Sequence, residues 1–422
     1  MNFKKKTLPS GLRIITVPTK GNPSVTVMIL VETGSNYEKK SENGLSHFLE
    51  HMCFKGTPTR PSAMDIAIEL DSLGAKNNAF TNFEYTGYYA KGDKKHWKKF
   101  AEVVSDIYLH PSIPEKELEK ERGVILQEIS MYEDLPKWKA QELFTKLLYG
   151  DTPAGRTILG PSENIKSFSK KDFIQYRKKH YVASSTIVVV AGDISSNLIE
   201  NEIKRLFKDI PTSKKHKKEK LVERQKTPAL LIHRKKTDQT HMVLGFRAFP
   251  GKDKRQPILD VLSGVLGGGM SSRLFQKLRE EMGACYYVRT SNDQLTDHGC
   301  FAISTGIEKN RVVEVEEALL KECKKLVEES VTEKELNKVK DYLVGNLYMD
   351  LETTDSMAGF YVEQEVLTDK LKNPNEIEKE VRKVTAKDVQ KLAKEIFQNK
   401  NLNLAIVGDI KDEKSLKKSL KI

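Results

Sequence analysis

The sequence predicts an α+β fold in which one domain plan occurs twice, each copy a mainly antiparallel sheet packed with helices. Three observations carry that prediction. Strand-like β-branched runs alternate with helical stretches, the later half of the chain repeats the earlier half at a nearly constant offset, and a polar segment without periodicity separates the copies. At 422 residues the chain is also longer than one ordinary core requires.

The elements follow in order. Val25 to Val31 and Ile187 to Ala191 have the length and composition of buried strands. Ser169-Lys-Lys-Asp172 places a hydroxyl three residues before a carboxylate, a helix N-cap signature, and the helical stretch it opens leads to Ile187-Val-Val-Val-Ala-Gly192-Asp193-Ile194. A shift of 216 residues, without a gap, brings Thr385-Ala-Lys-Asp388 and then Asn403-Leu-Ala-Ile-Val-Gly408-Asp409-Ile410. The same shift relates Ser24-Val-Thr-Val-Met-Ile-Leu30 to Thr240-His-Met-Val-Leu-Gly-Phe246, and a shift of 218 relates Glu115-Lys-Glu-Leu118 to Glu333-Lys-Glu-Leu336. The organisation expected is a first domain over residues 1–210, a linker over 211–227 and a repeated domain over 228–422. The basic run Lys214 to Lys220 in the linker reads as solvated.

Composition narrows the class. A hydrophobic content of 38% with 31% charged residues fits a soluble globular protein, and no apolar run approaches the roughly 18 residues needed to span a bilayer. Met-Asn-Phe-Lys-Lys-Lys is not followed by the apolar stretch of a secretory signal, so the expected compartment is the cytoplasm. Cys53, Cys285, Cys300 and Cys323 form no CxxC pattern and read as free thiols. The net charge of +12 comes from lysine doublets scattered along the chain, such as Lys94-Lys95 and Lys235-Lys236, without interleaved aromatics. Nucleic-acid binding is therefore not expected.

The strongest chemical signal is Asn43-Gly-Leu-Ser-His47-Phe-Leu-Glu50-His51-Met52. Leu45, Phe48, Leu49 and Met52 recur at helical spacing, which sets His47, Glu50 and His51 within roughly 100° of arc on the helix. Two imidazoles four residues apart can hold one zinc ion, and the carboxylate between them can take a proton from a water without ligating the metal. The order H-x-x-E-H inverts a better-known zinc peptidase motif. Further on, Ser112-Ile-Pro114 begins a long helix on which Glu121 and Glu128, two turns apart, share a face with Val124 and Ile125. Alone, such a pair also suits a solvated helix face. Beside the histidines it offers Glu128 as third ligand and Glu121 as the group that orients a histidine.

On these residues the chain resembles the insulinase/pitrilysin family of inverted zinc peptidases, in particular the single-half members related to mitochondrial processing peptidase. The likeness runs through His47-Phe-Leu-Glu-His-Met-x-Phe-Lys-Gly-Thr57, Glu121, Glu128 and Asp134-Leu-Pro136. Asn78, Ala79, Phe80 and Thr81 resemble the edge strand on which the family pairs an extended peptide. Arg279 and Tyr286, after Gly267-Gly-Gly-Met-Ser-Ser-Arg-Leu-Phe275, resemble an Arg/Tyr pair that holds substrate and stabilises the tetrahedral intermediate. Asn77 and Cys285 depart from the family pattern without removing a catalytic group. The resemblance implies a zinc endopeptidase acting on short or unfolded peptides in a closed chamber, with each chain half of a clam-shell and the partner a second copy or a related subunit. At the repeat offset Ser263, Leu266 and Gly267 stand opposite His47, Glu50 and His51, so one zinc ion per chain is expected. The competing expectation is a non-catalytic core-type subunit of a larger complex, in which such motifs are typically broken.

Overall fold

In the computed structural model, which describes residues 2–368 and 370–422, the chain forms two compact units. One comprises Met1–Ile129, Arg156–Glu219 and Asp350–Asn373; the other comprises Ser130–Gly155, Lys220–Met349 and Pro374–Ile422. The contiguous division at 211–227 thus needs amending. Residues 130–155 belong with the later part of the chain, and residues 350–373 with the earlier part. A repeat in sequence fixes the order of elements but not which sheet a given helix covers.

The sheet of the first unit contains β1 (Lys4–Thr7), β2 (Arg13–Pro18), β3 (Ser24–Val31), β4 (Lys76–Thr81), β5 (Thr86–Asp93) and β6 (Thr186–Gly192), in the order β1-β2-β6-β3-β5-β4. Only β2 and β6 run parallel. In the second unit β7 (Ala229–Arg234), β8 (Thr240–Ala248), β9 (Cys285–Gln294), β10 (Gly299–Ile307) and β11 (Leu402–Gly408) are ordered β7-β11-β8-β10-β9, with only β7 and β11 parallel. Once β1 is set aside the two orders are the same, as the sequence repeat requires. The paired helices Lys170–His180 and Ala386–Ile396 both open on the expected capping box, Ser169 with Asp172 and Thr385 with Asp388.

β3 and β6 lack a polar face because both sides of the sheet are covered. Val25, Val27, Ile29 and Val31 enter a core with Phe48, Tyr88, Phe100 and Phe173. The alternate residues of β3 lie under the helix Thr354–Leu367, where Thr26 Oγ1 meets Thr354 Oγ1 at 2.9 Å. In the second unit Met242, Leu244 and Phe246 face one core, while Val243, Ala302, Ala405 and Val407 pack on Ala140, Leu143 and Phe144 of the helix Pro136–Tyr149. The two covering helices are themselves related by the 218-residue shift, so the exchange of segments is part of the repeat.

Residues 211–227 form neither helix nor strand. Their basic run is not simply solvated. Lys215 Nζ lies 2.8 Å from the buried Glu32 carboxylate, and Lys218 pairs with the fully buried Glu84. A buried carboxylate needs a counter-charge, which sequence spacing alone does not reveal. All four cysteines are free, and among the described residues no helix is long and apolar enough to cross a membrane.

Candidate metal centre

The H-x-x-E-H motif lies on the helix Leu45–Cys53 of the first unit, whose residues Leu45, Phe48, Leu49 and Met52 are all in the core. Burying that stripe fixes the rotation of the helix about its axis and presents His47, Glu50 and His51 together. Its start is fixed as firmly. Gly44 has φ +100°, and a Cβ there would stand 2.5 Å from the Leu159 carbonyl oxygen. The buried Glu38 carboxylate accepts from Ser46 N at 2.6 Å through Oε1, and from Gly44 N at 2.9 Å and Asn43 Nδ2 at 3.0 Å through Oε2. It satisfies N–H groups that a helix start leaves open and places negative charge where the helix dipole favours it. Burial pushes its pKa up, against the pull of those hydrogen bonds. Sequence reasoning missed Glu38 because it sits outside the usual capping positions.

The glutamates lie on the helix Glu115–Asp134. Its faces are sharper than sequence suggests: Ile125 is fully buried but Val124 is 48% exposed, since adjacent residues are about 100° apart on a helix. Val124 therefore does not share the apolar environment of Ile125. Glu121 is buried and Glu128 partly so.

The structure brings His47, His51 and Glu128 together. Each offers a donor atom within 4.8 Å of the other two, and among the described residues no other such group of three His, Cys, Asp or Glu occurs. Glu128 Oε2 is 3.6 Å from His47 Nε2 and 3.8 Å from His51 Nε2. Glu121 Oε1 lies 2.8 Å from His51 Nδ1, and its other oxygen is 2.6 Å from Lys55 Nζ. Glu50, beside the group, accepts a hydrogen bond from Thr81 Oγ1 at 2.5 Å. Neither the Lys55 nor the Thr81 contact was anticipated; both depend on register between elements distant in sequence.

The charge balance follows from burial. Burial, aided by the neighbouring His51, pushes His47 down to about 3 and keeps it neutral with a lone pair to give. Among the described residues none hydrogen-bonds its buried Nδ1. For His51, burial opposes the cation, but the Glu121 hydrogen bond and the charges of Glu50, Glu121 and Glu128 together raise its pKa. Burial raises Glu50, against the Thr81 hydrogen bond, and it raises Glu128. Glu121 is lowered: burial acts upward but is outweighed by its bonds to His51 and Lys55. Two imidazole nitrogens and one carboxylate oxygen are a donor set of zinc hydrolases that leaves a coordination position open. Donors on one tetrahedral zinc stand about 3.4 Å apart for bonds of about 2.1 Å, close to the 3.6 and 3.8 Å separations here. The residues fit the ion.

β4, carrying Asn78, Ala79, Phe80 and Thr81, is the edge strand beside β5. Ala79 N–H donates to Asn78 Oδ1 at 2.9 Å, so it points away from β5 toward the open edge. Backbone groups alternate along a strand, so Asn77 and Thr81 present theirs the same way. In the second unit Arg279 lies in a helical turn, Phe275–Glu281, and Tyr286 at the start of β9. The guanidinium donates to the Tyr286 carbonyl at 3.3 Å and stands 5.8 Å from its ring centroid; Tyr286 is 73% exposed. An exposed tyrosine held by an arginine is available to a ligand.

Comparison with known proteins identifies the family and the fold. Residues 13–162 match the insulinase family (peptidase family M16), and residues 167–343 match the peptidase M16 inactive domain. An uncharacterized zinc protease of Bacillus subtilis (strain 168), YmxG, is 36% identical over 395 residues, covering 94% of this chain and 96% of the relative. Uncharacterized zinc proteases of Streptomyces coelicolor and Rickettsia felis are 31% and 34% identical, with 98% and 96% of this chain covered and 91% and 98% of theirs. A crystal structure of a protease from Helicobacter pylori shares the fold, with a TM-score of 0.91, 23% identity and coverage of 96% of this chain and 99% of that one. The peptidase M16 inactive domain from Pseudomonas fluorescens does so with a TM-score of 0.89, 17% identity and coverage of 97% and 98%. With its motif helix in the matched segment and likeness along nearly its whole length, the chain belongs to the insulinase family, peptidase family M16.

Proposed function

We propose that the protein is a zinc-dependent endopeptidase that hydrolyses short or unfolded peptides, with one zinc ion per chain held by His47, His51 and Glu128. The observation that carries this reading is the convergence of those three donors within 4.8 Å, with Glu50 alongside them. Zinc bound there supplies Lewis-acid chemistry, acidifying a water and polarising a carbonyl. The protein's own groups do the rest. Glu50 takes the proton of the attacking water and later delivers it to the leaving amine, and its upward-shifted pKa suits a group that must do both. Glu121 accepts from Nδ1 of His51 and so directs Nε2 toward Glu128. The outward backbone groups of β4 receive the substrate as an added strand, which gives affinity with little demand on sequence. A non-catalytic core-type subunit would have no use for an intact donor set with a partnered Glu50.

Arg279 and Tyr286 act as donors to substrate and to the developing oxyanion. We place them in the site of a partner copy: two chains enclose a chamber as a homodimer, which admits flexible peptides and excludes folded proteins. A related second subunit could stand in for the partner copy. The test is cleavage of quenched fluorescent peptides by the purified chain, with chelator and then with zinc restored. Loss and recovery of cleavage are expected; cleavage indifferent to chelation would overturn the reading.

A further inference from the structure

Lys55 lies four residues after His51, just past the end of the motif helix. That end is closed by bonds from Phe54 N to the His51 carbonyl at 3.3 Å and from Lys55 N to the Met52 carbonyl at 3.2 Å. The last turn therefore continues through Lys55, and residues four apart on a turn project to the same side. Gly56 then takes φ +122°, and a Cβ there would meet the Pro61 carbonyl oxygen at 2.4 Å, so the chain leaves sharply and Lys55 stays against the helix. Both Lys55 and His51 reach one carboxylate: Lys55 Nζ is 2.6 Å from Glu121 Oε2 and His51 Nδ1 is 2.8 Å from Glu121 Oε1.

The division of Glu121 between two donors has a consequence. Its side chain is only 10% exposed, and a buried carboxylate facing a neutral imidazole alone would lack a counter-charge. It could also rotate, exchanging its oxygens or turning toward solvent. An ammonium on Oε2 removes both possibilities and leaves Oε1 in the plane where His51 Nδ1–H must donate. The Nε2 lone pair is then held toward Glu128. We infer that Lys55 is a positioning residue of the metal centre: by anchoring Glu121 it fixes the orientation and tautomer of His51, and thereby sets the affinity of the site for zinc.

This inference rests on the zinc reading of the site, so the experiment separates the two. The full chain, stripped of metal, competes for zinc against a chromophoric chelator of known affinity, as wild type, Lys55→Met, Lys55→Arg, Glu121→Gln and the double variant Lys55→Met/Glu121→Gln. Outer-sphere partners of a ligating histidine contribute about 10- to 100-fold in metal affinity, and Lys55 acts one bond further out, so Lys55→Met should weaken zinc binding about tenfold. Lys55→Arg should recover most of that loss. In the Glu121→Gln background Lys55→Met should have no further effect, because its only route to the metal is gone. Equal affinity in wild type and Lys55→Met would overturn the role of Lys55 while leaving the metal centre standing. So would losses that add in the double variant, the pattern expected if Lys55→Met merely damaged the fold. A wild-type chain that bound no zinc would refute the metal centre itself.

Discussion

Replacing Thr81 by valine tests how the base is held. The two side chains have nearly the same shape and valine suits a strand, so β4 should keep its pairing with β5. What is lost is the 2.5 Å hydrogen bond from Thr81 Oγ1 to Glu50 Oε2. Hydrogen bonds to a charged group contribute about 1.5–3 kcal/mol, and each 1.36 kcal/mol in a barrier is tenfold in rate. If the bond serves wholly to orient Glu50, kcat should fall by about one to two orders of magnitude. Thr81 supplies no metal donor, so zinc content should stay at the wild-type level, and KM should change by no more than about twofold. Thr81→Ser, which keeps the hydroxyl, should retain most of the activity. Steady-state kinetics on one fluorogenic peptide, with zinc measured on the same samples, gives all of these quantities. An unchanged kcat in a zinc-replete Thr81→Val enzyme would refute the idea that this hydroxyl positions the base.

Other predictions reach different parts of the molecule. Mixing inactive Glu50→Gln chains with inactive Tyr286→Phe chains should restore cleavage, since one of the two sites in a mixed dimer is then complete; no recovery on mixing and reassembly would refute completion in trans. Glu38→Ala strips three hydrogen bonds from the start of the motif helix and should cost about 3 kcal/mol, seen as a lower unfolding midpoint together with weaker zinc retention. In the second unit Glu316 is fully buried, accepts from Ser419 Oγ at 2.8 Å through one oxygen, and is pushed up to about 7 by burial. Its folded pKa lies above the unfolded value near 4.5, so the folded state holds a proton that the unfolded chain has released, and stability falls as pH rises from about 4.5 to about 7. Glu316→Gln should therefore stabilise the protein by up to about 3 kcal/mol above neutrality and by little below pH ~4.5; an equal shift at both pH values, read from denaturant midpoints, would contradict that account.

Much of this was legible in the sequence because it depends on periodicity. The apolar stripe Leu45, Phe48, Leu49 and Met52 dictates which face of the motif helix is buried, and hence where His47, Glu50 and His51 point. The repeat at 216 to 218 residues gave the shared strand order and both capping boxes, because each is a local or ordered property of the chain. What stayed hidden depends on tertiary register. Nothing in Pro136–Tyr149 says that it packs on the strands Thr240–Ala248 and Leu402–Gly408 of the later part of the chain, nor in Thr354–Leu367 that it packs on Ser24–Val31 and Thr186–Gly192 of the earlier part. Lys55 with Glu121, Thr81 with Glu50 and Lys215 with Glu32 join residues 66, 31 and 183 positions apart, and a one-residue slip in any of these elements would have aimed the side chain elsewhere. Glu38 escaped notice for the same reason: a cap supplied from outside the usual positions carries no spacing signature.

In the proposed function a metal held by His47, His51 and Glu128 and a proton-accepting Glu50 together hydrolyse peptide bonds. The most direct measurement compares wild type and Glu50→Gln for zinc content and for cleavage of a fluorogenic peptide library on the same preparations. About one zinc ion per chain is expected in both proteins, with cleavage by wild type and loss of nearly all turnover in the variant. Cleavage at the wild-type rate by zinc-loaded Glu50→Gln, or a wild-type protein that takes up no zinc, would contradict it.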